Sequence, residues 1–325
     1  MGGSPMTRPV PLLLTLLLLA LPLSLLAGQV WIAPFAPPVK NAIPILMELR
    51  LPRAVLALVL GAGLGACGAA MQGYLRNPLA DPGLFGIAPM AALGAVLSFY
   101  TGYAVQPFAL PLFALTGAAL GMLLLALIAG RAASVVLFTL AGMMLASLSG
   151  ALTSLAISLS PNPFALSEIV TWLMGALENR GWDEVWIALP PTLLGLLLLA
   201  RAGRALDALT LGEAAARSLG VDPVRLQWLM VMACGLIVGS GVAVAGIIGF
   251  VGLMVPHMVR PFTSQRPSAL LVPSALTGAL LLLLADCLCR VLPLTGGELR
   301  LGIALSLMGA PFFLRLLLRM RSTLA

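Results

Sequence analysis

Long apolar runs, separated by short knots of proline, glycine, asparagine and arginine, organise this chain from end to end. Runs near 10–30, 51–74, 84–104, 108–130, 134–159, 185–201, 227–247, 248–262, 269–291 and 301–318 approach or exceed the ~20 residues that a helix needs to cross a bilayer. The run at 248–262 is the shortest of them. Backbone groups in lipid must bond internally, so only helices and closed barrels span it, and these runs are too long and too uniformly apolar for barrel strands. The pattern predicts an all-α polytopic membrane protein with about ten transmembrane helices in a single domain, 1–325. The longest polar interruption, about 201–227, predicts a cytoplasmic loop holding short helices.

Composition agrees with the pattern. Of 325 residues, 61% are hydrophobic and 9% charged, with a mean hydropathy of +1.09. One soluble core cannot hide that much apolar surface, so lipid must solvate much of it. The net charge of +7 comes from seventeen arginines and one lysine spread singly between apolar runs. That spacing points to membrane topology and away from nucleic acid. With a cytoplasmic N-terminus and ten crossings, Arg76, Arg131, Arg201, Arg204, Arg217, Arg225, Arg260 and Arg266 fall inside, with the terminal Arg8, Arg315, Arg319 and Arg321. Lys40, Arg50, Arg53, Arg180, Arg290 and Arg300 stay outside. The bias predicts that both termini are cytoplasmic. Arg8 and the run Val10–Ala27 resemble a secretory signal, but a signal core is ~7–15 residues and this run is longer, so it reads as a retained helix.

Several chemistries are excluded. The only lysine, Lys40, lies between Val39 and Asn41, so no Gly-Lys-Ser/Thr phosphate loop exists here. His257 is the only histidine, so a His-Glu-x-x-His zinc motif is impossible. The four cysteines, Cys67, Cys234, Cys287 and Cys289, lie in apolar runs and read as small buried hydrophobes. Asp286 is the one acidic residue well inside an apolar run. Such scarcity of intramembrane charge argues against a bare-ion pathway. Catalytic, metal and cofactor-binding residues are therefore expected to be none.

The motifs are more specific. A helix opened by Arg50 and Arg53 and rich in Gly61, Gly63, Gly65, Gly68 and Gly73 runs into Gln72…Arg76-Asn77-Pro78-Leu79-Ala80-Asp81-Pro82-Gly83. The prolines and Gly83 end the helix there. Further on, Leu211-Gly212-Glu213-Ala214-Ala215-Ala216-Arg217-Ser218-Leu219-Gly220-Val221 interrupts the apolar pattern. Gly246-Ile247-Ile248-Gly249-Phe250-Val251-Gly252-Leu253-Met254-Val255-Pro256-His257 follows, and Gly309-Ala310-Pro311-Phe312-Phe313 closes the last run.

From Leu49 to Leu318 this order resembles the FecCD-type, BtuC-like permease subunits of bacterial ABC importers for iron complexes and vitamin B12. The resemblance implies a homodimer with the path between the copies, in the inner (plasma) membrane. Two copies of an ATP-binding cassette subunit would hold the ATP and magnesium, and a periplasmic or surface binding protein would deliver the solute. The cargo implied is an iron complex (haem or ferric siderophore), with a corrinoid as the alternative. An ion-coupled secondary transporter is the competitor from another class. By the same resemblance Arg50, Arg53 and Arg290 dock the binding protein. Asn77 and Leu79 form the cytoplasmic gate. Glu213, Ser218, Leu219 and Gly220 contact the ATPase. Trp172, Gly175 and Trp182 belong to an outer short-helix segment, and His257 ends a helix near the cytoplasm. Ala88-Pro89-Met90-Ala91 and Arg300 depart from the family pattern.

Overall fold

The computed structural model describes residues 9–28, 30–32, 42–106, 108–130, 135–160, 162–292 and 297–324. Arg8, Lys40 and Arg131 lie outside the described residues, as do the side chains of Arg319 and Arg321. Among the described residues every regular element is helical. In chain order they are α1 Pro9–Leu26, α2 Ala42–Tyr74, α3 Ile87–Tyr100, α4 Ala109–Ala129, α5 Val135–Ser158 and α6 Pro163–Leu173. There follow α7 Trp182–Leu209, α8 Glu213–Ser218, α9 Pro223–Ala245, α10 Val251–Val259, α11 Pro267–Val291 and α12 Leu301–Leu324.

Eight of these (α1, α2, α4, α5, α7, α9, α11 and α12) are long and apolar enough to cross a membrane. The two remaining predicted runs are shorter than the apolar sequence suggests. The run 84–104 yields α3, whose start is fixed by Gly86 at φ 77°. The run 248–262 yields the nine-residue α10 and a 3-10 turn. Both are legs beside broken backbone: α9 stops at Ala245, and residues 246–250 cross over before α10 begins. Gly246, at φ 72°, permits the break, because a Cβ there would stand 2.3 Å from the Trp172 carbonyl. The freed groups are re-paired locally, with Ala176 N donating to Ala245 O and Gly302 N to Gly175 O.

One expected boundary is corrected. The predicted loop 201–227 is largely helix, because α7 continues to Leu209 and α9 starts at Pro223. Ala202, Leu206 and Leu209 are buried at helical spacing, while Arg201 and Arg204 are exposed. Mean apolarity falls after Ala200, yet the amphipathic period of the helix persists. The loop proper is 210–222.

The core is built around α2, which packs on α11, α7, α10 and α9. Its small residues bury against neighbouring backbone, with Gly61 facing Gly278 and Gly65 facing Ser274. Across the α2–α9 contact Cys67 Sγ and Cys234 Sγ come within 2.9 Å. Cys67, Cys234 and Cys289 are buried as expected and Cys287 only half-buried, and the Cys67–Cys234 contact was not visible in their spacing.

Candidate functional site

Charged side chains gather at the end of the bundle predicted to face outward. Arg53 Nε lies 2.9 and 3.1 Å from the two oxygens of Asp286, and its Nη2 lies 2.8 Å from Asp286 and 2.7 Å from Glu298. Arg290, one helical turn beyond Asp286, reaches the same carboxylate at 3.1 Å. Asp286 is fully buried and both arginines nearly so. A buried carboxylate flanked by two guanidiniums is the arrangement that makes burial of all three tolerable. Asp286–Arg290 at i, i+4 was legible in the sequence; the long-range closure by Arg53 was not.

Arg50 has a different setting. Its Nη1 donates to the carbonyls of Leu25 (2.8 Å) and Leu26 (3.0 Å), and its Nη2 to Val30 (2.6 Å). It therefore satisfies the orphan carbonyls at the C-terminus of α1, where a cation is also favoured by the helix dipole. Arg50, Arg53, Arg290 and Arg180 line one cavity of about 330 Å³ with Glu178 and Glu298. Arg300, one of the departures from the family pattern, pairs with Glu178 at 2.5 Å. The structure thus brings all three expected docking arginines to one cavity, already engaged within the chain.

At the opposite end the tract 75–86 folds back into the bundle. Asn77 Oδ1 accepts from Leu79 N at 2.9 Å, and Asn77 O accepts from Ala80 N at 3.1 Å, which locks the turn. Asn77 is exposed and Leu79 half-buried. Asp81 Oδ1 caps the following 3-10 turn by accepting from Gly83 N at 2.8 Å. Burial pushes the Asp81 carboxyl above its ordinary range, while backbone amides of Gly83 and Leu253 pull it back. The tract is therefore tied to the first turn of α10. On α2, Gln72 Nε2 donates to Gly252 O and Leu253 O at 3.4 Å and its Oε1 accepts from Arg260 Nη2 at 2.9 Å, so the helix before the turn is bonded to both ends of α10. Asp81, Pro82, Ala88 and Pro89 face Val242 and Ile248 across a narrow cavity of about 100 Å³. The Ala88-Pro89 departure thus lies on its wall.

Next to this turn sits α8. Leu211 and Leu219, which flank it, are 67% and 64% exposed, an unusual setting for two leucines on a short polar loop. Ser218 Oγ bonds back to Ala214 O at 3.1 Å, so its hydroxyl stays on the helix. Glu213 lies 3.6 Å from Arg76. Asp222 caps α9 by accepting from Val224 N (2.9 Å) and Arg225 N (3.2 Å). Asp222→Ala should cost about 1 kcal/mol, read as a lower thermal midpoint in detergent.

His257 lies in the last turn of α10 with Nδ1 3.2 Å from Leu253 O, the helix-ending place expected of it. Among the described residues no group of three or more His, Cys, Asp or Glu is placed to hold a metal.

The bundle thus carries a re-entrant turn beside an exposed short helix at one end and a charged cavity at the other. Residues 12–319 match the FecCD transport family. The chain belongs to that family. It is 40% identical over 318 residues to the vitamin B12 import system permease protein BtuC of Pectobacterium atrosepticum, covering 97% of this chain and 94% of the relative. The BtuC of Vibrio cholerae is 38% identical over 95% of this chain and 93% of its own. A solved structure described as an inward-facing conformation of a metal-chelate type ABC transporter superposes with a TM-score of 0.88. It has 31% identity and covers 96% of this chain and 99% of that one. The chain is thus a multi-span permease subunit of an ABC importer, a class that works with an ATPase and a binding protein. The ion-coupled carrier is set aside by this membership.

Proposed function

We propose that this permease passes a corrinoid as one half of a homodimer, driven by two ATP-binding subunits and served by one binding protein. Support for the cargo is the 40% identity to a vitamin B12 permease over 97% of the chain. Sequence motifs alone put an iron complex first. That remains the second reading, favoured by the 0.88 TM-score to a metal-chelate type transporter.

The observation that carries the mechanism is the exposed α8 with its apolar flanks Leu211 and Leu219, beside the turn that holds Asn77 and Leu79. In this reading Glu213, Ser218, Leu219 and Gly220 meet the ATPase, and Asn77 and Leu79 close the cytoplasmic mouth. Both termini lie in the cytoplasm. ATP binding shifts the coupling surface, and a rigid-body tilt exchanges the open gate. The charged cavity at the other end receives carboxylates of the binding protein through Arg50, Arg53 and Arg290, by charge-assisted pairing.

The test is ATPase activity of the complex in lipid, with binding protein loaded in turn with cobalamin, ferric siderophores and haem. Stimulation by the cobalamin-loaded form alone supports the corrinoid. Stimulation by an iron complex instead replaces it with the second reading. Docking has its own check. Glu298 competes for Arg53, so Glu298→Gln should tighten binding-protein affinity about 2- to 5-fold. An affinity that falls would remove Arg53 from the docking surface.

A further inference from the structure

We propose that Arg76 and Glu213 are positioning residues that pass displacement of α8 to the gate turn. The inference rests on the reading of α8 as the coupling element and adds the physical link between it and the gate.

The ends of the link differ in rigidity. Six-residue α8 hangs between Gly212 at φ 100° and Gly220 at φ 84°, and a Cβ at either would meet nothing within 4 Å. Left-handed backbone at both ends, with open space around it, makes α8 a short rigid arm on two glycine hinges. The gate turn is the opposite. Arg76 itself stands at φ 49°, a conformation that side chains rarely adopt, and is held there by hydrogen bonds from Arg76 N to Gly73 O and Asn77 N to Gln72 O. The Asn77 ring of bonds then makes residues 76–80 move as one unit.

Glu213 is the first residue of the arm, and Arg76 the first of the turn. Their 3.6 Å contact is the only ion pair between the two segments among the described residues. Beyond Arg76 the path continues, since Arg76 and Arg260 line one cavity of about 270 Å³ with Gln72 between them. A shift of Glu213 is therefore felt both at Leu79 and at the base of α10. Both side chains are about two-fifths exposed, 44% and 39%, so the pair adds little to stability. A weak tie that joins a hinged arm to a locked turn is suited to biasing the gate without holding the fold together.

The experiment reconstitutes the full transporter in liposomes and measures cargo taken up per ATP hydrolysed. Arg76→Glu should lower this ratio about 2- to 5-fold, with ATPase assembly and thermal midpoint unchanged. Arg76→Lys, which keeps the cation and leaves Glu213 at its ATPase contact, should retain most of the ratio. A ratio unchanged in Arg76→Glu, or lost equally in Arg76→Lys, overturns the link. Failure of the α8 reading itself looks different: Leu219→Asp would then leave ATPase assembly intact. If Leu219→Asp abolishes assembly while Arg76→Glu leaves the ratio unchanged, only the Arg76–Glu213 link is rejected.

Discussion

Asp286→Ala should destabilise the protein by about 3–5 kcal/mol, the largest effect expected of any single polar substitution here. Asp286 is wholly buried and holds Arg53 by three contacts of 2.8 to 3.1 Å and Arg290 by one of 3.1 Å. Its removal strands two guanidiniums that are themselves nearly inaccessible, and Glu298 can serve only Arg53. Arginine stays protonated in any such setting, so neutralisation offers no escape. The thermal midpoint of the permease in detergent or nanodiscs would read the loss directly. The triple variant Arg53→Met, Asp286→Leu, Arg290→Met should recover most of it, because apolar groups of similar volume replace a buried cluster at little cost. On the proposed docking role of Arg53 and Arg290, binding-protein affinity should be lost in the triple variant even where the midpoint recovers. A wild-type midpoint in Asp286→Ala would show that water reaches the cluster and that the arginines are free to turn outward unaided.

The contrast between those two readouts bears on what the sequence could and could not say. Arg50, Arg53 and Arg290 stood out by the family resemblance, on the side predicted to face outward. That placement suggested a partner, but each side chain also has an internal one. Arg50 is committed to three carbonyls around the end of α1, and no local pattern reveals a contact twenty-odd residues away. The all-helical fold and its spans were legible because lipid demands unbroken apolar length, and a window of mean apolarity measures that well. The same measure misplaced the end of α7, since Arg201 and Arg204 lower the mean without disturbing the buried stripe Ala202, Leu206 and Leu209. It did divide the chain at 247/248, two residues past the end of α9, but gave no physical reason for the break. There the decisive fact is the Trp172 carbonyl lying where a Cβ would go. Asn77 and Leu79 were found by motif, and their turn chemistry is local. Their link to Glu213 depends on two loops meeting in space, which spacing along the chain does not encode.

Gly61→Val should be among the most damaging apolar substitutions. A Cβ on Gly61 would stand 2.3 Å from Gly278 O, and one on Gly278 would stand 2.2 Å from Gly61 O. Neither contact can be relieved by a rotamer change, because the obstruction is backbone. Nor can α2 simply move aside. Gly65 meets Ser274 O at 2.2 Å and Gly68 meets Gly252 O at 2.0 Å by the same construction, so α2 is pinned to α11 and α10 along its length. Overpacking of an ordinary core site costs about 1–3 kcal/mol, and this one should reach or exceed the top of that range. Gly241→Ala on α9 is the control. Its Cβ would meet only Leu60 Cδ2, at an ordinary 3.5 Å, and should change the midpoint little. Equal loss in both variants would mean that the α2–α11 seam is no tighter than the rest of the bundle. If the predicted contrast holds, α2, α10 and α11 behave as one welded body. Conformational change must then be taken up elsewhere, at the Gly246–Phe250 break and at the glycine hinges that flank α8. In the proposed coupling the turn at 76–80 is fastened to that body through Asn77 N to Gln72 O and to the α8 arm through Arg76. On the proposed coupling, that division of stiffness lets the cytoplasmic mouth open while the seam around Gly61 stays closed.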